Sequence, residues 1–329
     1  MEDHISQFAP IPSSFEAQTA HHITKFFETN EITTQQECDE HAAVIAERSV
    51  SPTTLQGQKS YTVVAADESM LVQFRPPNCP LDVASFEAAR AIYGRRFVPA
   101  CVFRESWRGL FVYVMDFIQS DALAIARRVL FVKTNKHILS STLSDLSAFF
   151  AISYTNRSDS TTTDIKRLYH TYDSRLAALN DTLPPKLYSK LNTARNQLWR
   201  IFDPSHPIVL NHAGLTDTNI HIDTETGRIT GIIDWSDSSS GPFGISIWGV
   251  DIVLAIPSGD KWHWHPDHVA LRRQFWETLS SSILLTNEEV ATVKIARVVG
   301  LFLAFGYCKG VLVEDDTRMM YLDAMLGVE

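Results

Sequence analysis

The stretch Leu210-Asn211-His212-Ala213-Gly214-Leu215-Thr216-Asp217-Thr218-Asn219-Ile220 frames a polar loop with apolar residues, and Thr230-Gly231-Ile232-Ile233-Asp234-Trp235 ends an apolar run on a carboxylate. Magnesium takes hard oxygen ligands and favours a few of them beside a phosphate. An Asn side-chain carbonyl and an Asp carboxylate at such loop edges therefore suit a metal-nucleotide site. By spacing alone, Asn219 and Asp234 also read as ordinary turn residues. What they do depends on the elements that position them.

Helical patterns cover residues 15–28 and 34–48, with Ser13 or Ser14 and Thr33 or Thr34 as N-caps. Residues 60–65, 70–75, 98–103 and 110–118 are β-branched or aromatic runs, with a turn at Asp67-Glu68-Ser69 between the first two. Residues 81–93 have helical apolar spacing and end at Gly94, so the region reads as a β-β-α-β-β lobe. Beyond Asp121 the patterns are mainly helical, over 123–132, 139–153, 164–179 and 185–202, with residues 156–163 as an exposed polar loop. Short strands at 208–211, 220–223 and 229–233, the last two forming a hairpin around Thr224-Glu225-Thr226-Gly227, interrupt the helices. From Ile245 to the end the chain reads as helix. The expected organisation is a helical segment at 1–55, a small β-rich lobe at 56–119 and a helical lobe at 120–329.

At 329 residues the chain can bury one large core or two lobes, and 45% hydrophobic with 20% charged residues is ordinary globular composition. The net charge of −9 offers no general attraction to nucleic acid or anionic membrane. The pairs Arg95-Arg96, Arg127-Arg128 and Arg272-Arg273 read as isolated surface charge. Cys38, Cys79, Cys101 and Cys308 show neither metal-ligand spacing nor a disulfide framework, which points to reduced thiols. The acidic start Met1-Glu2-Asp3-His4 and the shortness of the apolar windows lead to the expectation of a soluble cytoplasmic protein.

The order of small sheet with helix, linking segment, helical lobe, polar loop, hairpin and Asp-Trp resembles the aminoglycoside phosphotransferase and choline kinase branch of the protein-kinase-like fold, especially fungal phosphotransferase-like proteins. The likeness covers roughly residues 61–307, and its most specific part is Gly231-Ile232-Ile233-Asp234-Trp235 followed by Gly241-Pro242-Phe243-Gly244. It implies a two-lobed α+β fold with ATP and magnesium as cofactors. Asn219 and Asp234 would be the metal ligands, and His212 the residue anchoring the loop. Arg75 would stand where many kinases use a phosphate-contacting Lys, with Glu87 as its ion-pair partner. Met115-Asp116-Phe117-Ile118 would be the hinge under an adenine ring, so Met115 and Phe117 are expected beside the nucleotide.

One position departs from the family pattern, which places the catalytic Asp two residues after the motif His. This chain has Gly214 there. Without a carboxylate to receive the proton of an attacking hydroxyl, transfer loses a general-base contribution of about 10²–10⁴-fold. Asp217, three residues on, is the nearest substitute. The leading expectation is a small-molecule enzyme of secondary metabolism with phosphotransfer impaired or lost. Its cleft would be reused, without a cofactor, to shape or cyclise an apolar metabolite. An ATP- and magnesium-dependent small-molecule kinase is the alternative, and a noncatalytic nucleotide-binding or scaffold protein the third reading. Trp235, Trp248, Trp262 and Trp264 are candidates for the substrate pocket. The His-rich run Trp262-His263-Trp264-His265-Pro266-Asp267-His268 reads as either an aromatic loop entering a helix or a zinc or copper site.

Overall fold

The computed structural model describes residues 5–157, 164–259, 261–308, 311–313 and 315–328. Two helices, α1 (Pro12–Thr29) and α2 (Gln35–Ala46), precede the strands β1 (Val50–Pro52), β2 (Tyr61–Ala65) and β3 (Met70–Arg75). Helix α3 (Val83–Tyr93), β4 (Cys101–Trp107) and β5 (Leu110–Asp116) complete the first lobe, and the antiparallel sheet runs β1-β2-β3-β5-β4. The expected lobe is present with one added edge strand, β1, whose three residues are too few to show a period.

Register explains why this sheet is covered on both faces. Tyr61 pairs with Phe74, Val63 with Val72, and Phe74 with Val112. These residues share one face and cluster with Phe26 of α1 and Cys38 and Ala42 of α2. Tyr113 and Cys101 belong instead to the core shared with α3 and the larger lobe. The N-terminal segment is thus part of both lobes: α1 and α2 cover the sheet, while Ile5 and Ala9 join the larger core.

Local chemistry sets most boundaries. Thr34 and Glu37 form a reciprocal capping box at the start of α2, and Asp82 caps α3 through the amide of Ser85. The expected Ser13 or Ser14 cap is corrected: Pro12 opens α1 with Ile11 at the N-cap, since a proline in the first turn lacks only a donor that has no helical partner. The strand expected at 98–103 begins at Cys101, because the amides of Phe97 and Val98 turn back to the Gly94 carbonyl. It then continues to Trp107 through an irregularity between Phe103 and Glu105.

The second lobe starts with β6 (Asp121–Ala122), α4 (Leu123–Leu130), α5 (Lys136–Thr155) and α6 (Ile165–Ala178). Within the expected loop at 156–163, residues 158–163 lie outside the described residues. The helix expected at 185–202 is divided into a 3-10 turn, α7 (Tyr188–Asn196) and α8 (Leu198–Ile201). Then follow β7 (Ile208–Asn211), β8 (Ile220–Ile222), β9 (Ile229–Ile232), β10 (Ser239–Pro242) and α9 (Gly249–Val253). The stretch after Ile245 is not all helix. It includes the hairpins β11 (Ala255–Ser258) with β12 (Lys261–Trp264) and β13 (Tyr307–Cys308) with β14 (Val311–Leu312), among α10 (His268–Ile283), α11 (Asn287–Gly306) and α12 (Asp316–Leu326). No helix among the described residues is long and apolar enough to cross a membrane.

Candidate phosphotransfer site

Two pairs of strands bring the candidate residues together. β7 pairs with β10, Asn211 opposite Ser239, and β8 pairs with β9, Ile220 opposite Ile232. The loop 212–219 joins β7 to β8, and the segment 233–238 joins β9 to β10, so the two connections run side by side. The Ile233 amide donates to the Asn219 carbonyl at 2.9 Å, which places Asn219 at the start of β8 beside the point where Asp234 leaves β9.

His212 locks this crossing. Its ring is buried, Nδ1 accepts from the Gly214 amide at 3.1 Å, and Nε2–H donates to the Ile233 carbonyl at 2.8 Å. That pattern requires the neutral Nε2–H tautomer. Burial lowers its pKa, opposed by the bond to Ile233 and the charge of Asp234. The Trp235 ring meets the His212 ring edge-on at 4.6 Å between centroids, and its Nε1–H donates to the Ile232 carbonyl at 2.8 Å.

The two expected metal ligands keep unpaired oxygens among the described residues. Asn219 donates Nδ2–H to the Gly214 carbonyl at 2.9 Å, which orients the amide, while its Oδ1 accepts no hydrogen bond among the described residues. Asp234 is exposed, makes no ion pair among those residues, and holds φ at +66°. A non-glycine residue in that left-handed region is uncommon, and Asp is one of the few types that tolerate it. Two hard oxygen donors at one crossing fit magnesium, which keeps several waters and needs few protein ligands. Bound there, the ion would neutralise phosphate charge and hold the phosphates in place.

Gly214 is not a steric necessity. A Cβ built on it would lie 3.7 Å from Asn219 Nδ2 and 3.9 Å from His212 Cε1, ordinary contact distances. The position has room for a Cβ and carries none.

Asp217, the expected substitute base, is committed elsewhere. Its carboxylate closes on the guanidinium of Arg127 of α4, and its carbonyl accepts from the Ala124 amide at 2.9 Å. The expected Arg75–Glu87 pair is corrected too. Arg75 turns to the following segment, donating to the Cys79 carbonyl at 2.7 Å and to Gln73 Oε1 at 3.2 Å, and Glu87 lies exposed on α3. The ion pair from α3 is made by Arg90, which reaches Asp116 at 3.1 Å. Arg75 keeps a guanidinium with no carboxylate partner among the described residues. Met115 is half-buried near the end of β5, and Phe117 follows it in the segment leading to the second lobe. Ile118 of that segment packs on Gly231 of β9 so closely that a Cβ on Gly231 would sit 2.3 Å from Ile118 Cδ1. The linking segment therefore lies against the hairpin that carries Asp234.

The aromatic candidates separate. Trp235 and Trp248 are core residues, 0% and 4% exposed, rather than the lining of an open pocket. Trp262 packs on Tyr321 and Trp264, and Trp264 stacks with His268 under the Arg272 guanidinium. The metal reading of the same run fails on geometry. His263 stacks on Phe8, His265 Nδ1 accepts from the Asp267 amide, and no three metal-binding side chains converge among the described residues. Two surface cavities of about 230 and 250 Å³ share Trp199, and the second reaches Pro207, at the opposite end of β7 from His212.

Two arginines read as surface charge are buried instead. Arg127 is 1% exposed and also donates to the Ile252 carbonyl at 2.8 Å. Arg272 and Arg297 both reach the fully buried Asp251, at 2.7 and 2.6 Å. The signal for Arg127 was its spacing: it stands four residues after Leu123 and three before Leu130, on the apolar stripe of α4.

Residues 57–262 match the family model described as the phosphotransferase enzyme family. No individual curated protein matches the sequence significantly. The fold is similar to a thermostable mutant of aminoglycoside phosphotransferase APH(4)-Ia in ternary complex with ADP and hygromycin B, with a TM-score of 0.55 and 13% identity over 88% of this chain and 97% of that one. It is also similar to ADP-bound aminoglycoside phosphotransferase APH(2'')-Ib, with a TM-score of 0.52 and 12% identity over 89% and 97% of the two chains. An ethanolamine kinase from Plasmodium vivax gives a TM-score of 0.50 and 11% identity over 84% and 81%. At such identities the structural likeness speaks for the two-lobed kinase-like fold alone. The family model spans most of the chain, and on that match the chain belongs to the phosphotransferase enzyme family.

Proposed function

We propose that this chain binds a magnesium-nucleotide complex, with ATP as the natural form, through Asn219 and Asp234, and that its transfer of phosphate to a small-molecule acceptor is impaired. The observation that carries this reading is the contrast at one crossing of two loops. Both oxygen donors are free, while the position that would hold the base is the bare backbone of Gly214. In phosphoryl transfer much of the catalysis is positioning and electrostatic stabilisation, so a base-free site retains a slow reaction. Arg75, without a carboxylate partner, supports a phosphate contact from the first lobe. Two structural neighbours were solved with ADP, which agrees with nucleotide use on this fold.

Reuse of the cleft to cyclise an apolar metabolite in secondary metabolism draws on the same missing carboxylate. It has less support, because Trp235 and Trp248 are spent on the core. A cytoplasmic location fits a nucleotide-using enzyme and is part of the same proposal.

Calorimetric titration with ADP, with and without magnesium, tests the reading. Wild type should bind more tightly with the metal, and Asp234→Ala should remove that increment while leaving the metal-free affinity. Absence of nucleotide binding by folded wild type would overturn it.

A further inference from the structure

The Arg127–Asp217 pair lies outside the metal-type donors and holds the loop that carries one of them. Asp217 is two residues from Asn219, and it is fixed twice to α4, by its carboxylate to Arg127 and by its carbonyl to the Ala124 amide. Arg127 is anchored in turn. Its second amino group donates to the Ile252 carbonyl, and the neighbouring Asp251 is gripped by Arg272 of α10 and Arg297 of α11. Arg297 also donates to the Met325 carbonyl near the end of α12 at 3.0 Å. A continuous polar path thus runs from the C-terminal helix through the core to the loop 212–219.

Charge and burial fix the roles. The guanidinium is 1% exposed and the carboxylate 25%, so the anchored partner is the arginine and the partner that needs holding is the aspartate on the loop. A buried cation needs a paired anion, and Asp217 supplies it. That contact turns the Asp217 carboxylate onto α4.

We infer that Arg127 and Asp217 are positioning residues: they set the loop so that Asn219 presents its side-chain carbonyl beside Asp234, and Asp217 does not serve as a replacement base. The magnesium part of this inference rests on the proposed function, whereas the ordering of the loop does not.

The test compares Asp217→Asn, Asp217→Ala and Arg127→Met by two readouts on folded full-length protein. One is amide hydrogen exchange across residues 212–219, measured without nucleotide. The other is the magnesium-dependent increment in ADP affinity. Asn keeps the shape and a carbonyl acceptor for Arg127 but gives up the charge, so Asp217→Asn should fall between wild type and Asp217→Ala in both. Asp217→Ala and Arg127→Met should speed loop exchange and reduce the magnesium increment by about 10–100-fold, as loss of a residue supporting a metal ligand does. Should Arg127→Met fail to fold, the two Asp217 variants decide alone, since that side chain reaches the surface. Unchanged loop exchange in Asp217→Ala would overturn the inference, and so would a magnesium increment left at its wild-type size in that variant. If wild type binds no nucleotide, the proposed function fails, but the exchange measurement still decides whether the pair orders the loop.

Discussion

His212 Nε2–H donates to the Ile233 carbonyl at 2.8 Å, and that bond ties the loop ending in Asn219 to the strand leading into Asp234. It exists only with the ring neutral at Nδ1, where the Gly214 amide donates. Protonation would force two donors to face each other.

Stability should therefore fall in mild acid. The pKa of His212 is lowered from 6.5 by burial, so the unfolded chain binds a proton more readily than the folded one. The contribution is fully present above about pH 6.5 and is lost as pH falls through the folded value. His206, His221 and His265 are shifted the same way, chiefly by burial, and add to the slope. Urea unfolding from about pH 8 to pH 5.5 should show the decline, and His212→Gln should flatten part of it. An identical slope in the variant would show that His212 does not titrate on unfolding.

At Asp234 the backbone and the side chain make separable demands. With φ at +66°, alanine there should cost about 1–2 kcal/mol relative to glycine. Asp234→Gly should accordingly unfold at higher urea than Asp234→Ala, while both lose the magnesium increment in nucleotide affinity. Equal stability of the two would mean that the left-handed conformation relaxes on substitution.

Asp251 should be the costliest of the charged residues to remove. It is fully buried between Arg272 and Arg297, and deleting it leaves two buried guanidinium groups without a carboxylate. Asp251→Ala should lower unfolding free energy by about 3–5 kcal/mol. A loss under about 1 kcal/mol, read from urea melts, would indicate that water replaces the carboxylate.

Much of the fold was legible because its signals are local. The β-branched and aromatic runs of β2, β3 and β5, the cap at Thr33 or Thr34 and the Gly94 stop each need only a few neighbouring residues. Asn219 and Asp234 were singled out by the family resemblance rather than by spacing, and their nearness in the fold follows from the β8–β9 hairpin. Long-range partners were not legible. Nothing near Arg127 in the chain announces Asp217, ninety residues away, and Arg75 and Glu87 each suit an ion pair that the turn of the Arg75 side chain toward Cys79 prevents. The β11–β12 hairpin was hidden because its apolar residues continue the pattern of α9.

Under the proposed function the site keeps Asn219 and Asp234 as metal-type donors and lacks a base at position 214. Magnesium-dependent ATP turnover, measured for wild type and Gly214→Asp with amino-alcohol and aminoglycoside acceptors, tests it most directly. A Cβ at Gly214 meets its neighbours only at ordinary contact distances. Wild type should turn over near background, and Gly214→Asp should raise the rate by about 10²-fold or more. Brisk magnesium-requiring turnover by wild type, with no gain from the carboxylate, would contradict the account.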